Sequence, residues 1–282
     1  MSPPTTTGRR SGTMLLIALV AAGMAVGILA VFFWVPTANC LVPGVAQGQP
    51  CFDARPDYVQ HIFYMHVPIA YVAYLAFGVV LVGSVAYLKT GKRRWDILAH
   101  ASAEIGVLFT GLCLLTGMLW GRPRWGTFWT WDETLTLTFV LFLIYIGYLL
   151  FRGLAADPTR GARVAAVIGV VGFVDVPLVH FSMVWWRTLH PAEVVINPAG
   201  PQLPASELVT MLFLLAVYTG LYVALMLLRT RLGRAEEALA EAEAALEERP
   251  PPRASLSPGA LSGASPPSSG ALRGASGAVV TP

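Results

Sequence analysis

Six long apolar segments constrain this chain more than any other feature: residues 13–35, 62–88, 97–119, 135–151, 164–184 and 207–228. A helix rises about 1.5 Å per residue and about 20 residues cross the hydrocarbon, so each segment is long enough, or nearly so, to span a bilayer. Backbone groups in lipid must bond within their own segment, which makes these segments helices. With 55% hydrophobic and 12% charged residues there is too little polar surface for a water-soluble globule. The expectation is an all-α integral membrane protein with six transmembrane helices.

The first segment follows Arg9 and Arg10 as a signal peptide would, but its 23 residues are too long for a secretory core. Its exit, Trp34-Val35-Pro36, has no small-residue cleavage signature, so it is read as an anchor that stays. Threading six helices puts Arg9, Arg10, Lys89, Lys92, Arg93, Arg94, Arg152, Arg160, Arg163, Arg229, Arg231 and Arg234 on one side. Only Arg55, Arg122, Arg124 and Arg187 fall on the other. The positive-inside rule then places both termini in the cytoplasm and the loop between the third and fourth helices outside. A net charge of +3, with no long basic run, excludes nucleic acid as a partner.

That outer loop is read over residues 120–134 and holds Trp120, Trp125, Trp129 and Trp131 within twelve residues. Wide, rigid aromatic faces lose little entropy on ordering, so together they make a platform for a flat apolar ligand. An interfacial aromatic belt is the competing reading, but a belt populates both faces. Here seven of the eight tryptophans lie at the outer face and only Trp95 at the inner one.

Histidine repeats the asymmetry. His61, His66, His180 and His190 lie toward the outer face, and only His100 lies near the inner one. Imidazole is a strong iron ligand, and a haem iron with two axial histidines takes them from opposite sides of the macrocycle. His61 and His66 are five apart, about 140° around a helix, so both cannot serve one site. Pro68 suits a helix's first turn, which would put His66 where the second helix begins. His180 lies inside an apolar run, whereas His190 follows Trp185-Trp186-Arg187-Thr188-Leu189 in a loop that can reach over the membrane surface. Ligation by one histidine and Met65 or Met183 is the rival arrangement.

The run Trp120-Gly121-x-x-x-Trp125-Gly126-Thr127-x-Trp129-x-Trp131-Asp132, the tract His66-Val67-Pro68 and the tract 185–190 occur in an order that resembles the WWD-domain haem-handling proteins. The form is most similar to component C of the system I cytochrome c maturation machinery, over residues 60–228. The resemblance implies haem b held at the outer face by His66 and His190 as axial ligands, over Trp120, Trp125, Trp129, Trp131 and Asp132. It implies a periplasmic haem chaperone as recipient, with ABC-transporter ATPase and membrane subunits and a small membrane accessory subunit as partners. The location implied is the bacterial cytoplasmic (inner) membrane, with the haem site facing the periplasm. Two positions depart from the family pattern: Thr134 stands where arginine is expected, and Pro191 where glutamine is. Arg122, Arg124 and Arg187 are the remaining outer cations that could pair with a haem propionate.

Two other classes stay open. A haem-transport permease needs cytoplasmic loops that dock an ATPase, and the inner loops here are short. An electron-transfer cytochrome holds haem between helices at membrane depth, where His180 and Asp175 are the deeper outer candidates. No nucleophile–base pair or substrate carboxylate pair appears, so no enzyme is expected.

The remaining expectations are local. Residues 1–12 and the Pro-, Ser-, Gly- and Ala-rich stretch 250–282 are expected to be disordered. They flank a haem-handling domain at 13–228 and an acidic helical extension at 229–249. Cys40 and Cys51, in an outer loop where an oxidising compartment permits it, are expected to form a structural disulfide ahead of free thiols, with redox chemistry last because Cys-x-x-Cys spacing is lacking, and Cys113 is a small core residue. His100 and Glu104 are four apart and should pair, and Asp175, costly at its depth, should serve as polar glue between helices.

Overall fold

The computed structural model describes residues 6–35, 59–186, 188–191, 200–201 and 203–247, with side chains from residue 11 onward. Within them the chain forms α1 Thr6–Phe33, α2 Gln60–Thr90, α3 Arg93–Trp125, α4 Glu133–Leu154, α5 Pro158–Gly172, α6 Asp175–Trp185 and α7 Ala205–Glu247, and no strand. Six stretches are long and apolar enough to cross a membrane, α5 and α6 together making one. The expected disulfide cysteines, Cys40 and Cys51, lie outside the described residues, as does Arg187.

Lipid is as apolar as leucine, so close packing and interhelical hydrogen bonds hold these helices together. Gly106 of α3 lets the Phe77 ring of α2 approach to where a Cβ would sit 2.6 Å from it. Polar bonds then cross between helices: Tyr64 donates to Glu207 Oε2 at 2.9 Å, linking α2 to α7. Ser102 donates to the Ala76 carbonyl at 2.7 Å, so Tyr222, 2.8 Å away, is the donor to Ser102. Such bonds average about 0.6 kcal/mol each in a bilayer, so it is their number that fixes the arrangement.

The basic end is closed by ion pairs. Buried Asp96 takes Arg152 of α4 at 2.7 Å and Arg93 at 2.6 Å, and Arg93 also reaches Glu237 of α7 at 2.8 Å. Arg229 of α7 grips both oxygens of Glu104, and His100 Nε2 lies 3.4 Å from the same carboxylate. The expected His100–Glu104 pair therefore belongs to a network that ties α3 to α7. The unit containing the bundle ends at Ala238; the last turns of α7, from Leu239, belong to a second unit, in which Leu239 and Leu246 are exposed.

Three boundaries differ from the sequence reading. Pro68 stands inside α2, which begins at Gln60, so His66 lies in the second turn rather than at the helix start. α3 runs on to Trp125, with Pro123 in its last turn and Gly126 at φ 77° closing it, so Trp120, Arg122, Arg124 and Trp125 are helical. The connection to α4 is only residues 126–132.

The fifth crossing is interrupted at Phe173 and Val174. Pro177 is the cause: it offers no N–H to the Phe173 carbonyl four residues back, and its ring crowds that oxygen. Phe173 instead accepts from Val176 at 3.1 Å, a tighter turn than an α-helix makes. Asp175 thereby becomes the first residue of α6, where a carboxylate meets the positive end of the helix dipole. Its buried Oδ2 has no hydrogen-bond partner among the described residues, so at that oxygen the expected interhelical bond is not made.

Candidate functional site

At the Trp-rich end α2, α3, α4 and α6 surround a cavity of about 290 Å³. His66 and Tyr74 reach it from α2, Cys113, Gly117, Trp120 and Trp125 from α3, Thr134 and Leu141 from α4, and His180 and Met183 from α6; Trp129 and His190 close it from the connecting segments. Cys113, Gly117 and Trp120 follow the i, i+4, i+7 spacing of one helical stripe, which is why a single face of α3 supplies so much of the wall.

The His66 and His190 rings lie 6.3 Å apart, centre to centre, at 40°. An imidazole nitrogen bonds a metal at about 2 Å and lies roughly 1 Å from its ring centre, so two imidazoles on opposite sides of one iron sit about 6 Å apart. Among the described residues no cluster of three or more His, Cys, Asp and Glu could hold a metal ion.

Each ring is held at Nδ1. His66 Nδ1 is 2.9 Å from the Thr116 hydroxyl, and His190 Nδ1 is 3.0 Å from the Pro191 carbonyl, which can only accept. Cys113 Sγ is 4.0 Å from His66 Nε2. Gly117 leaves the space His66 occupies: a Cβ there would lie 3.1 Å from its Cε1. His61 points elsewhere, buried edge-on against Phe32 of α1 at 4.8 Å.

Trp120 and Trp125 meet edge to face at 5.5 Å, and Trp129 packs against Trp131 at 5.5 Å. The indole N–H groups of Trp120 and Trp129 are buried and have no hydrogen-bond partner among the described residues. A buried donor left unpaired costs about 1–3 kcal/mol, so a carboxylate-bearing ligand would relieve both. These orphan donors, the flat aromatic walls and the facing imidazoles together fit haem, whose propionates accept hydrogen bonds and whose ring is apolar.

The other residues expected at the site are placed differently. Trp131 is 76% exposed and does not line the cavity. Asp132 caps α4, accepting from the Leu135 N–H at 2.9 Å and the Thr130 hydroxyl at 3.3 Å. Arg124 stacks over Trp120 and donates to Gln60 at 3.2 Å, bracing the aromatic wall from behind. Arg122 lies over Phe128 and donates to the Gly126 carbonyl at 2.8 Å. Met65 accepts from the Tyr218 hydroxyl and does not line the cavity, whereas Met183 does. His180 is the residue that sequence reasoning set aside and the fold brings in; its i, i+3 spacing to Met183 was the available signal.

The sequence profile of the family described as Heme exporter protein C matches residues 14–244. A protein of that name from Bradyrhizobium diazoefficiens is 38% identical over 202 residues, which cover 70% of this chain and 76% of the relative. One from Haemophilus influenzae is 34% identical, covering 64% and 74%. A putative cytochrome c biosynthesis ccmC-like mitochondrial protein of Marchantia polymorpha is 34% identical, covering 72% and 86%.

Proposed function

Because the chain belongs to the Heme exporter protein C family, we propose that it takes haem b at the outer face of the bacterial cytoplasmic membrane and hands it to a periplasmic haem chaperone for cytochrome c maturation. ABC-transporter ATPase and membrane subunits, and a small membrane accessory subunit, are its partners in this reading. The role is delivery, not catalysis.

The observation that carries the reading is the imidazole pair 6.3 Å apart at one cavity walled by Trp120, Trp125 and Trp129. In this reading His66 and His190 would hold the iron, the indole rings would offer aromatic faces to the macrocycle, and the buried N–H groups of Trp120 and Trp129 would take its carboxylates. The excess of basic residues at the other end supports an outward site. Exposed Phe128, Trp131, Trp185, Trp186 and Leu189 supply apolar surface at this end for the interface or a recipient.

The test is the visible absorption spectrum of the purified protein after haem supplementation. A Soret band with bis-histidine α and β features on reduction is expected. His66→Ala or His190→Ala should turn a six-coordinate spectrum into a five-coordinate or empty one, partly restored by imidazole. No Soret band in the unaltered protein would favour a permease role. His180 and Met183 on the same cavity keep an electron-transfer cytochrome as the second reading. It gains if His180→Ala loses haem while His190→Ala keeps it.

A further inference from the structure

The Thr116 hydroxyl has one hydrogen to give, and the Leu112 carbonyl takes it at 2.8 Å, with the Cys113 carbonyl also in reach at 3.1 Å. With its hydrogen on either carbonyl, its oxygen meets His66 Nδ1, 2.9 Å away, as an acceptor. The imidazole must then carry its proton on Nδ1, and the lone pair is left on Nε2. Free imidazole exchanges between two tautomers, and only the one with a bare Nε2 can bond iron through that atom.

We propose that Thr116 is a positioning residue for haem: it locks His66 in the tautomer that presents Nε2 to the iron and strengthens that nitrogen as a donor. The proposal rests on His66 being an axial ligand. A hydrogen bond from Nδ1–H pushes electron density onto the ring, which favours ferric over ferrous iron and lowers the reduction potential. Three features make the device specific to this ring. Thr116 stands on α3, a different helix from His66, so the bond fixes the ring's direction as well as its proton. Gly117, the next residue, provides the space the ring needs. At His190, by contrast, Nδ1 lies 3.0 Å from the carbonyl of the next residue, Pro191, a contact within its own segment.

The experiment compares full-length Thr116→Val, Thr116→Ser and His66→Ala with the unaltered protein, by titration with ferric haem and by redox titration of the bound haem. Valine keeps the shape and removes the acceptor; serine keeps the acceptor. Thr116→Val should weaken ferric-haem binding about tenfold or more and move the midpoint potential positive. Thr116→Ser should restore both. Thr219→Val, which removes an equivalent hydroxyl-to-carbonyl bond on α7, should change neither. If Thr116→Val does not accumulate in the membrane, Thr116→Ala takes its place. An unchanged potential and affinity in the acceptor-less variant overturns the proposal while leaving His66 as a ligand. Equal losses in the valine and serine variants overturn it too, because they mark a packing role. A bis-histidine spectrum that survives His66→Ala overturns the ligand assignment and the proposal together.

Discussion

Thr134 at the start of α4 donates to Ser182 of α6 at 2.7 Å, and Ser182 passes its own hydrogen to the Val179 carbonyl at 2.7 Å. The resemblance noted in the sequence implies arginine at position 134, and this chain has a buried neutral relay there instead. The position is 5% exposed and faces a second helix, so its role here is to close the cavity wall. Thr134→Val should lower stability by about 1 kcal/mol, the net worth of one intramolecular hydrogen bond. Thermal unfolding in detergent reads this, and an unchanged midpoint would remove the relay from the account.

The unpaired indole N–H groups make a second prediction. Phenylalanine at Trp120 or Trp129 keeps an aromatic face and deletes the donor. If those donors meet haem carboxylates, each change should weaken binding about tenfold, since hydrogen bonds to charged groups are worth about 1.5–3 kcal/mol. Exposed Trp131→Phe should bind as the unaltered protein does. A haem dimethyl ester should erase the difference, and an ester that binds with the same ranking would show the effect to be one of shape.

Gly117→Ala should act on His66 alone. The added carbon would sit 3.1 Å from the His66 Cε1, so the ring must turn while the helix stays intact. Helical circular dichroism should be unaltered and haem content should fall; a normal haem spectrum in this variant would mean that the His66 ring lies elsewhere in the loaded protein.

Much of this was legible before any coordinates. Six apolar runs dictate six crossings because lipid leaves the backbone no alternative, and the clustering of Trp and His picks out residues that the fold gathers at one cavity. What could not be read were the helix ends. Pro123 and Gly121 look like loop residues, yet α3 continues through both to Trp125, so Trp120 and Trp125 ride on α3. His180 looked like a residue of an apolar run because its neighbours in sequence are apolar. Its neighbours in space, the cavity-lining residues of α2, α3 and α4, come from distant parts of the chain. The partnership of Thr116 with His66 joins residues 50 apart and has no sequence signal beyond a polar residue within an apolar span.

At the opposite end, Arg152→Ala should cost about 3 kcal/mol, because it strips one of two cations from a carboxylate that is 2% exposed. Combining it with Asp96→Leu should recover part of the loss, since an uncompensated buried charge is worse than none. Strict additivity of the two single changes, measured by urea unfolding in mixed micelles, would count against the pairing.

Orientation is tested at Gly126, an exposed residue closing α3. A cysteine placed there should react with an impermeant maleimide in whole cells after the outer membrane is permeabilised. Labelling only in inverted vesicles would reverse the assignment of the haem-binding face.

The interruption at Phe173 gives the fifth crossing unequal stiffness along its length. A continuous helix resists bending because each turn must stretch bonds it already holds. Here Pro177 has surrendered one in advance, so the crossing is rigid from Pro158 to Gly172, compliant over a single turn, and rigid again from Asp175 to Trp185. A bend in this crossing would therefore fall at that joint and in neither flanking helix.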